Sequence, residues 1–322
     1  IAGTLIAISS NSWMSMWIGL EVNLLSIIPL MSNVQNKMES EAAMKYFITQ
    51  AMASTIFMLA IIIMLSNNEM LMSSKLSSTI MDLAILTKMG AAPLHFWFPE
   101  VMEGLSWINA TIMLTWQKIA PMVIFMYSIK PLMFTTMIIL TSMIISGLMG
   151  INQTSMRKIL AYSSINHIGW MIAAMITNQT LWIIYFVIYT LMTINITMMF
   201  KMMNISYTNQ LINSMNKSKT LKIMFSLNFL SLGGIPPFIG FFPKWITINS
   251  LIQENMYLLT FTMIIMTLMT LVFYMRITFT SGIMTTSELT LHNKSKNINK
   301  IMMSNFLVLS LLSACPMIIS FN

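Results

Sequence analysis

The sequence predicts an all-α transmembrane protein of about eleven helices, and three observations carry that expectation. Hydrophobic residues make up 57% of the 322-residue chain and charged residues only 8%, whereas a soluble domain carries about 25% charge. Mean hydropathy is +0.77, and the apolar residues gather into runs of roughly 20, the length that crosses a bilayer at about 1.5 Å per residue. Most of the charges fall in the connections between these runs.

The runs are, in order, about 1–9, 12–31, 43–66, 78–98, 105–127, 130–149, 156–176, 178–202, 221–252, 256–280 and 301–321. Each is expected to be helical, because lipid offers an open backbone no other partner. Run 1–9 is too short to span, so either upstream residues are missing or the first helix is short. No signal peptide with a charged start and a cleavage site is recognisable. Run 12–31 carries Glu21 in WIGLEVNLLS, the one acid expected at mid-span. Run 78–98 carries Lys88, then Gly90, Pro93 and His95, in LTKMGAAPLHFWFPE. Run 105–127 carries Lys118 in LTWQKIAPM, with Pro121 three residues on. Run 156–176 carries His167 in SSINHIGW. Run 221–252 reads LSLGGIPPFIGFFPKW, with Gly233, Gly234, Pro236 and Pro237 ahead of Lys244. Asp82, Glu100 and Glu103 sit near run ends and are expected to face headgroups or water. His292, with Lys294, Lys296 and Lys300, reads as a solvated loop.

Prolines and glycines interrupt two runs at mid-depth. Proline has no N–H, so Pro93 frees the carbonyl of Met89 and Pro236 that of Leu232. Such gaps survive in a membrane only where protein or water covers them. A single kink would be a packing feature; two breaks, each beside a buried lysine, point to function. The first break falls in the fourth run of the first five, and the second in the fourth of the next five. Five is odd, so the second set would lie inverted in the membrane relative to the first. The expected organisation is a five-helix bundle over 1–127, an inverted five-helix bundle over 128–280, and a loop with a C-terminal transmembrane helix over 281–322.

The basic residues set an orientation. Counting connections from the N-terminus, the even ones and helix ends beside them hold twelve Lys or Arg, including Lys37, Arg157, Lys158, Lys201 and Arg276. The odd ones hold Lys75 and Lys130. That bias places the N-terminus on the inner side and the C-terminus outside.

Four ionisable groups at membrane depth, Glu21, Lys88, Lys118 and Lys244, are the main functional signal. Each costs roughly 2.5–3.5 kcal/mol on insertion scales. Lysine suits a proton relay because burial favours its neutral form and a nearby carboxylate its charged form; arginine cannot be switched this way. Glu21 is the natural partner of Lys88. Plainer readings exist for three of the four: a neutral hydrogen-bonded carboxyl for Glu21, a contact to loosened backbone for Lys118, and snorkelling to an interface for Lys244. His95 and His167 are weaker candidates as proton carriers, since a structural histidine is as good an account of either.

Other chemistries find little support. The single Cys315 rules out an intrachain disulfide and a cysteine cluster for zinc or iron–sulfur. The three histidines are far apart, and no Gly-rich phosphate loop or nucleophile elbow is present. The net charge of +8 lies mainly in the loops between spans and does not call for nucleic acid. The 39 methionines are spread over all runs and read as the coding bias of an AT-rich genome filling core gaps rather than as a metal array.

The stretches GLEVNLLSIIPLM, EAAMKYFITQAMAS, KMGAAPLHFWFPEV, LTWQKIAP, GINQTSMRKILAYSSINHIGWM and NFLSLGGIPPFIGFFPKW, in this order, closely resemble the chain 2 family of NADH-ubiquinone oxidoreductase, the mitochondrially encoded antiporter-like membrane subunits of respiratory complex I. The wording is that of an insect or related arthropod form. The resemblance covers residues from about 3 to about 280. It implies two inverted five-helix bundles, each with a broken helix. It also implies location in the mitochondrial inner membrane, where the basic bias puts the N-terminus on the matrix side and the C-terminus on the intermembrane-space side. The other membrane-arm and accessory subunits and membrane lipids would be its partners. NAD, FMN, iron–sulfur clusters and ubiquinone would belong to the parent complex, with none bound by this chain. By motif, Glu21 matches the family's buried glutamate, Lys88 the broken-helix lysine, Lys118 the central connecting lysine and Lys244 the lysine of the second broken helix. The departure is at the N-terminus, which is about a dozen residues shorter than the family pattern. Two other functions share the same charges: an autonomous cation/proton antiporter, and a structural subunit whose charges only brace the bundle.

Overall fold

The computed structural model describes residues 1–33, 35–66, 71–128, 132–215, 219–236 and 238–283. Pro237, Lys130, His292, Cys315 and the expected last helix over 301–321 lie outside the described residues. The described elements are helices: α1 (Ala2–Ser9), α2 (Trp13–Met31), α3 (Lys37–Ser66), α4 (Leu71–Met89), α5 (Trp97–Gly104), α6 (Trp107–Leu114), α7 (Trp116–Ser128), α8 (Leu132–Ile151), α9 (Met156–Thr177), α10 (Gln179–Met203), α11 (Thr208–Met215), α12 (Lys219–Gly233), α13 (Phe241–Gln253) and α14 (Tyr257–Ile283). The first ten expected runs are all present in order. Helices α2, α3, α8, α9, α10 and α14 are each long and apolar enough to cross a membrane. Runs 105–127 and 221–252 are each built from two helices, α6 and α7, and α12 and α13, while run 78–98 holds most of α4 and, past the break, the first two residues of α5.

The surface has the pattern of a lipid-facing protein. On α3, Met44, Ile48, Met52, Ile56 and Leu59 form an exposed stripe at helical spacing. Its opposite face buries Ala42, Ala43, Tyr46, Gln50, Ala53 and Ser54. Phe57, Ala60 and Ile61 continue that buried face; large apolar side chains on the exposed one suit lipid rather than water as the solvent. Helix α9 is buried along nearly its whole length, its polar Ser163, Ser164, Asn166 and His167 included.

Contacts divide the chain into two compact units, Ile1–Ser142 and Met143 onward. In the first, α3 packs on α2, α4 and α5, and α7 packs on α1, α2, α4 and α6. Helices α1 and α2 cross through small residues four apart, Gly3 and Ala7 against Gly19 and Asn23. A Cβ on Gly19 would come within 2.6 Å of the Ala7 nitrogen, so the crossing requires the glycine. In the second unit α9 is flanked by α10, α13 and α14, and α12 packs on α10, α11 and α14.

Both interrupted helices end in the same way. Gly90 has φ +74° and so does Gly234. At the first break the Gly90 N–H donates to Thr87 O (3.2 Å) and the Ala91 N–H to Leu86 O (3.1 Å). At the second, the Gly234 N–H donates to Ser231 O (3.0 Å) and the Ile235 N–H to Leu230 O (3.4 Å). This is the Schellman arrangement, in which a left-handed residue closes the helix and satisfies two of its last carbonyls. The Gly-Pro spacing in the sequence is thus expressed twice as one backbone device.

Candidate functional site

In the first unit the Schellman turn at Gly90 fixes where α4 ends, and Lys88 therefore stands in its last turn. A cation there faces the negative end of the helix dipole. Lys88 Nζ lies 3.7 Å from Glu21 Oε1 on α2, with the lysine side chain 4% and the glutamate 24% exposed. That spacing brings together the two groups the sequence paired. It exceeds hydrogen-bond length, and neither Lys88 Nζ nor Glu21 Oε1 holds a hydrogen bond among the described residues. The pair is close enough to interact strongly, about 4 kcal/mol at an effective dielectric near 20, and is not locked.

Lys118 is in the first turn of α7 and is 2% exposed, its Nζ 5.5 Å from the centre of the Phe98 ring. A cavity of about 20 Å³ lies among Lys88, Lys118, Asn23, Gln50 and Gln117, room enough for about one water molecule with polar partners. Asn23 Nδ2 donates to Gln117 Oε1 (2.7 Å), and Gln117 Nε2 donates back to Asn23 Oδ1 (3.3 Å). This amide pair ties α2 to α7 at the level of the lysines. The freed backbone of the break is also bound: Trp97 Nε1 donates to Thr87 O (3.0 Å), and Thr141 Oγ1 donates to Ala92 O (3.1 Å). His95 is buried within the break, with Nδ1 3.2 Å from the Pro93 carbonyl and its ring 4.6 Å from that of Phe96.

In the second unit the lysine comes from beyond the break. Lys244 on α13 is 6% exposed and reaches back to donate to Gly233 O at 2.9 Å. Its head therefore also sits at the carbonyl end of a broken helix, and it does not snorkel. Gly234 makes this possible, because a Cβ there would lie 2.8 Å from Lys244 Nζ. His167 on α9 shares a hydrogen bond at 2.9 Å with the Tyr185 hydroxyl, and the Tyr189 ring lies 5.0 Å from its own.

Two expectations need correction. Asp82 does not face headgroups or water: it lies within α4 and is 0% exposed. Glu21 is thus not the only acid within a helix core. The apolar run was started at 78, whereas the helix begins at Leu71 and takes in a serine-rich turn. Glu100 does reach solvent, paired with Lys45 at 3.0 Å. Run 105–127 is interrupted at Thr115 between α6 and α7, while Pro121 stands inside α7. Sequence reading also passed over Asn23, Gln50, Gln117 and Tyr185, and over the bond from Asn195 Nδ2 to Asn228 Oδ1 (3.2 Å). The available signal was their cost: an amide inside an apolar run must find a partner.

Residues 10–270 match the family described as NADH:quinone oxidoreductase/Mrp antiporter, transmembrane. The chain is 48% identical over 282 residues to NADH-ubiquinone oxidoreductase chain 2 of Anopheles gambiae, covering 87% of this chain and 82% of that protein. It is 43% identical over 325 residues to the protein of the same name from Locusta migratoria, covering 99% and 93%. Among solved structures, a chain of respiratory complex I from Thermus thermophilus superposes with a TM-score of 0.85 at 21% identity, over 96% of this chain and 75% of that one. A chain of the Mrp complex from Dietzia gives 0.81 at 13% identity, over 98% and 74%. These two likenesses speak for the fold.

Proposed function

The chain belongs to the NADH:quinone oxidoreductase/Mrp antiporter membrane family, within its NADH-ubiquinone oxidoreductase chain 2 branch, and from that premise we propose that it carries protons across the mitochondrial inner membrane as an antiporter-like subunit of respiratory complex I. The observation that carries the mechanism is the Glu21–Lys88 pair at 3.7 Å, with Lys88 and Lys118 lining one small polar cavity. Redox chemistry would take place in other subunits, which would hold NADH, flavin, iron–sulfur clusters and ubiquinone. This chain would contribute the path.

Each lysine accepts a proton on Nζ and passes it on. The ionised Glu21 favours a charged Lys88; if the carboxylate withdraws or is protonated, Lys88 releases its proton toward the Lys118 cavity. Lys118 would be the central connecting station and Lys244 the lysine of the second half. The Lys244 bond to Gly233 O gives its ammonium a fixed docking point. Moving one charge against the membrane potential costs about 2.3 kcal/mol per 100 mV, so the driving force comes from electron transfer in the partner subunits. His95 and His167 would be secondary: each is engaged by a neighbouring carbonyl or hydroxyl, which supports a positioning role.

The matching glycine caps at Gly90 and Gly234 support the organisation into two inverted five-helix bundles over 1–127 and 128–280. The basic bias supports a matrix-side N-terminus and an intermembrane-space C-terminus. Neighbouring membrane-arm subunits and lipids would cover the exposed apolar faces. The test is Lys88→Met in the intact complex. NADH oxidation with fewer protons pumped per electron pair supports the relay; an assembled variant that pumps at the parental ratio overturns it.

A further inference from the structure

Asp82 is the only aspartate in the chain, and it is fully buried on α4. Ser128 at the end of α7 stands beside it. The Ser128 hydroxyl, however, is donated to the Phe125 carbonyl at 3.0 Å, so it offers Asp82 an oxygen rather than a proton. Neither carboxylate oxygen has a hydrogen-bond partner among the described residues. Packed helices bring few charges to this level. Helix α3 has no ionisable side chain from Phe47 to Ser66, and α7 has Lys118, ten residues before Ser128, and the exposed Tyr127. On α4 itself Lys75 is seven residues before Asp82 in the sequence, and Lys88 is six residues on and pairs with Glu21.

An ionised carboxylate in this place would be a buried charge with no cation beside it among the described residues, which is expensive. A protonated one can donate to Ser128 Oγ. Six residues of helix put Asp82 about 9 Å along the axis from Lys88, on the side toward Leu71. We propose that Asp82 is a further proton-binding station of the first unit, between the Lys88–Lys118 cavity and the Leu71 end of α4. In the transfer an ammonium N–H bond breaks, intervening water relays the proton across the roughly 9 Å between the groups, and a carboxyl O–H bond forms. Loss of that proton toward the Leu71 end resets the group. The proposal rests on the relay reading and adds a carboxyl to it on one side of the lysines.

Treatment of the intact complex with an apolar carbodiimide tests it, because such reagents add to protonated carboxyls within membranes and leave an N-acylurea without a leaving group. Mass spectrometry of the Asp82 peptide is expected to show the adduct, with a water-soluble carbodiimide leaving it unmodified. Asp82→Asn and Asp82→Leu are each expected to lower the protons pumped per electron pair, and Asp82→Glu to restore them. An Asp82 peptide that stays unmodified after complete reaction overturns the proposal, as does parental pumping in both the Asn and Leu variants. Labelling reads the carboxyl rather than pumping, so its outcome stands apart from that of Lys88→Met, which tests the function itself.

Discussion

Replacing Gly234 by alanine should disable the second lysine while leaving the helix bundle standing. Gly234 sits at φ +74°, where an L-residue costs roughly 1–2 kcal/mol; a large membrane protein tolerates that much. The sharper effect is on Lys244. An added Cβ would lie 2.8 Å from Nζ and 2.9 Å from Cδ. Ordinary contact begins near 3.4 Å, so the ammonium must retreat by about 0.6 Å; a retreat away from Gly233 O takes its 2.9 Å bond to the edge of hydrogen-bond length. A charge-assisted hydrogen bond contributes about 1.5–3 kcal/mol, equivalent to a roughly ten- to hundredfold drop in the docked lysine. Gly233→Ala is the control: its Cβ would meet Tyr274 at 3.6 Å and Leu271 at 3.9 Å, both ordinary contacts. The assay is protons pumped per NADH oxidised by purified, reconstituted complex, with assembly followed on native gels. The expected result is a lowered ratio in Gly234→Ala and a parental ratio in Gly233→Ala. An assembled Gly234→Ala complex that pumps at the parental ratio would refute the docking argument.

Glu21→Gln removes the carboxylate 3.7 Å from Lys88; breaking a fully buried pair costs about 3–5 kcal/mol, and the partial exposure of Glu21 puts this case at or below the low end. Reduced pumping with a small drop in thermal stability is expected, measured by proton flux and by heat inactivation. Gly19→Leu drives a branched side chain into the Ala7 backbone and should separate α1 from α2, seen as loss of assembled complex on native gels. Trp97→Phe removes the 3.0 Å bond to Thr87 O, worth about 0.5–1.5 kcal/mol; heat inactivation should come slightly earlier while pumping persists.

Much of this arrangement is legible in the sequence because lipid makes polar residues conspicuous. Glu21 and Lys88 stand out in apolar runs, and each can lower its burial cost through the other. The two breaks are legible because glycine and proline alter the backbone through their own covalent structure, whatever surrounds them. Asp82 was misplaced for a local reason. Ser73, Ser74, Lys75, Ser77 and Ser78 look like a connection, and only packing shows that α4 begins before them. The Thr115 interruption was hidden because Pro121 marks a weakened stretch rather than the point where it yields. The eight-residue α11 is too short for periodicity to distinguish from loop. The Asn23–Gln117 pair joins positions 94 residues apart, a contact that no local pattern encodes.

The most direct test of the account is the ratio of protons pumped to NADH oxidised in complexes carrying Lys88→Met, Lys118→Met and Lys244→Met, singly and together. Stations in series fail at the first one missing, and residues that act as a unit are non-additive. Each single variant should therefore lower the ratio by a similar step, and the triple variant should fall no further. An assembled triple variant that keeps the parental ratio would contradict the claim that protons cross through this chain.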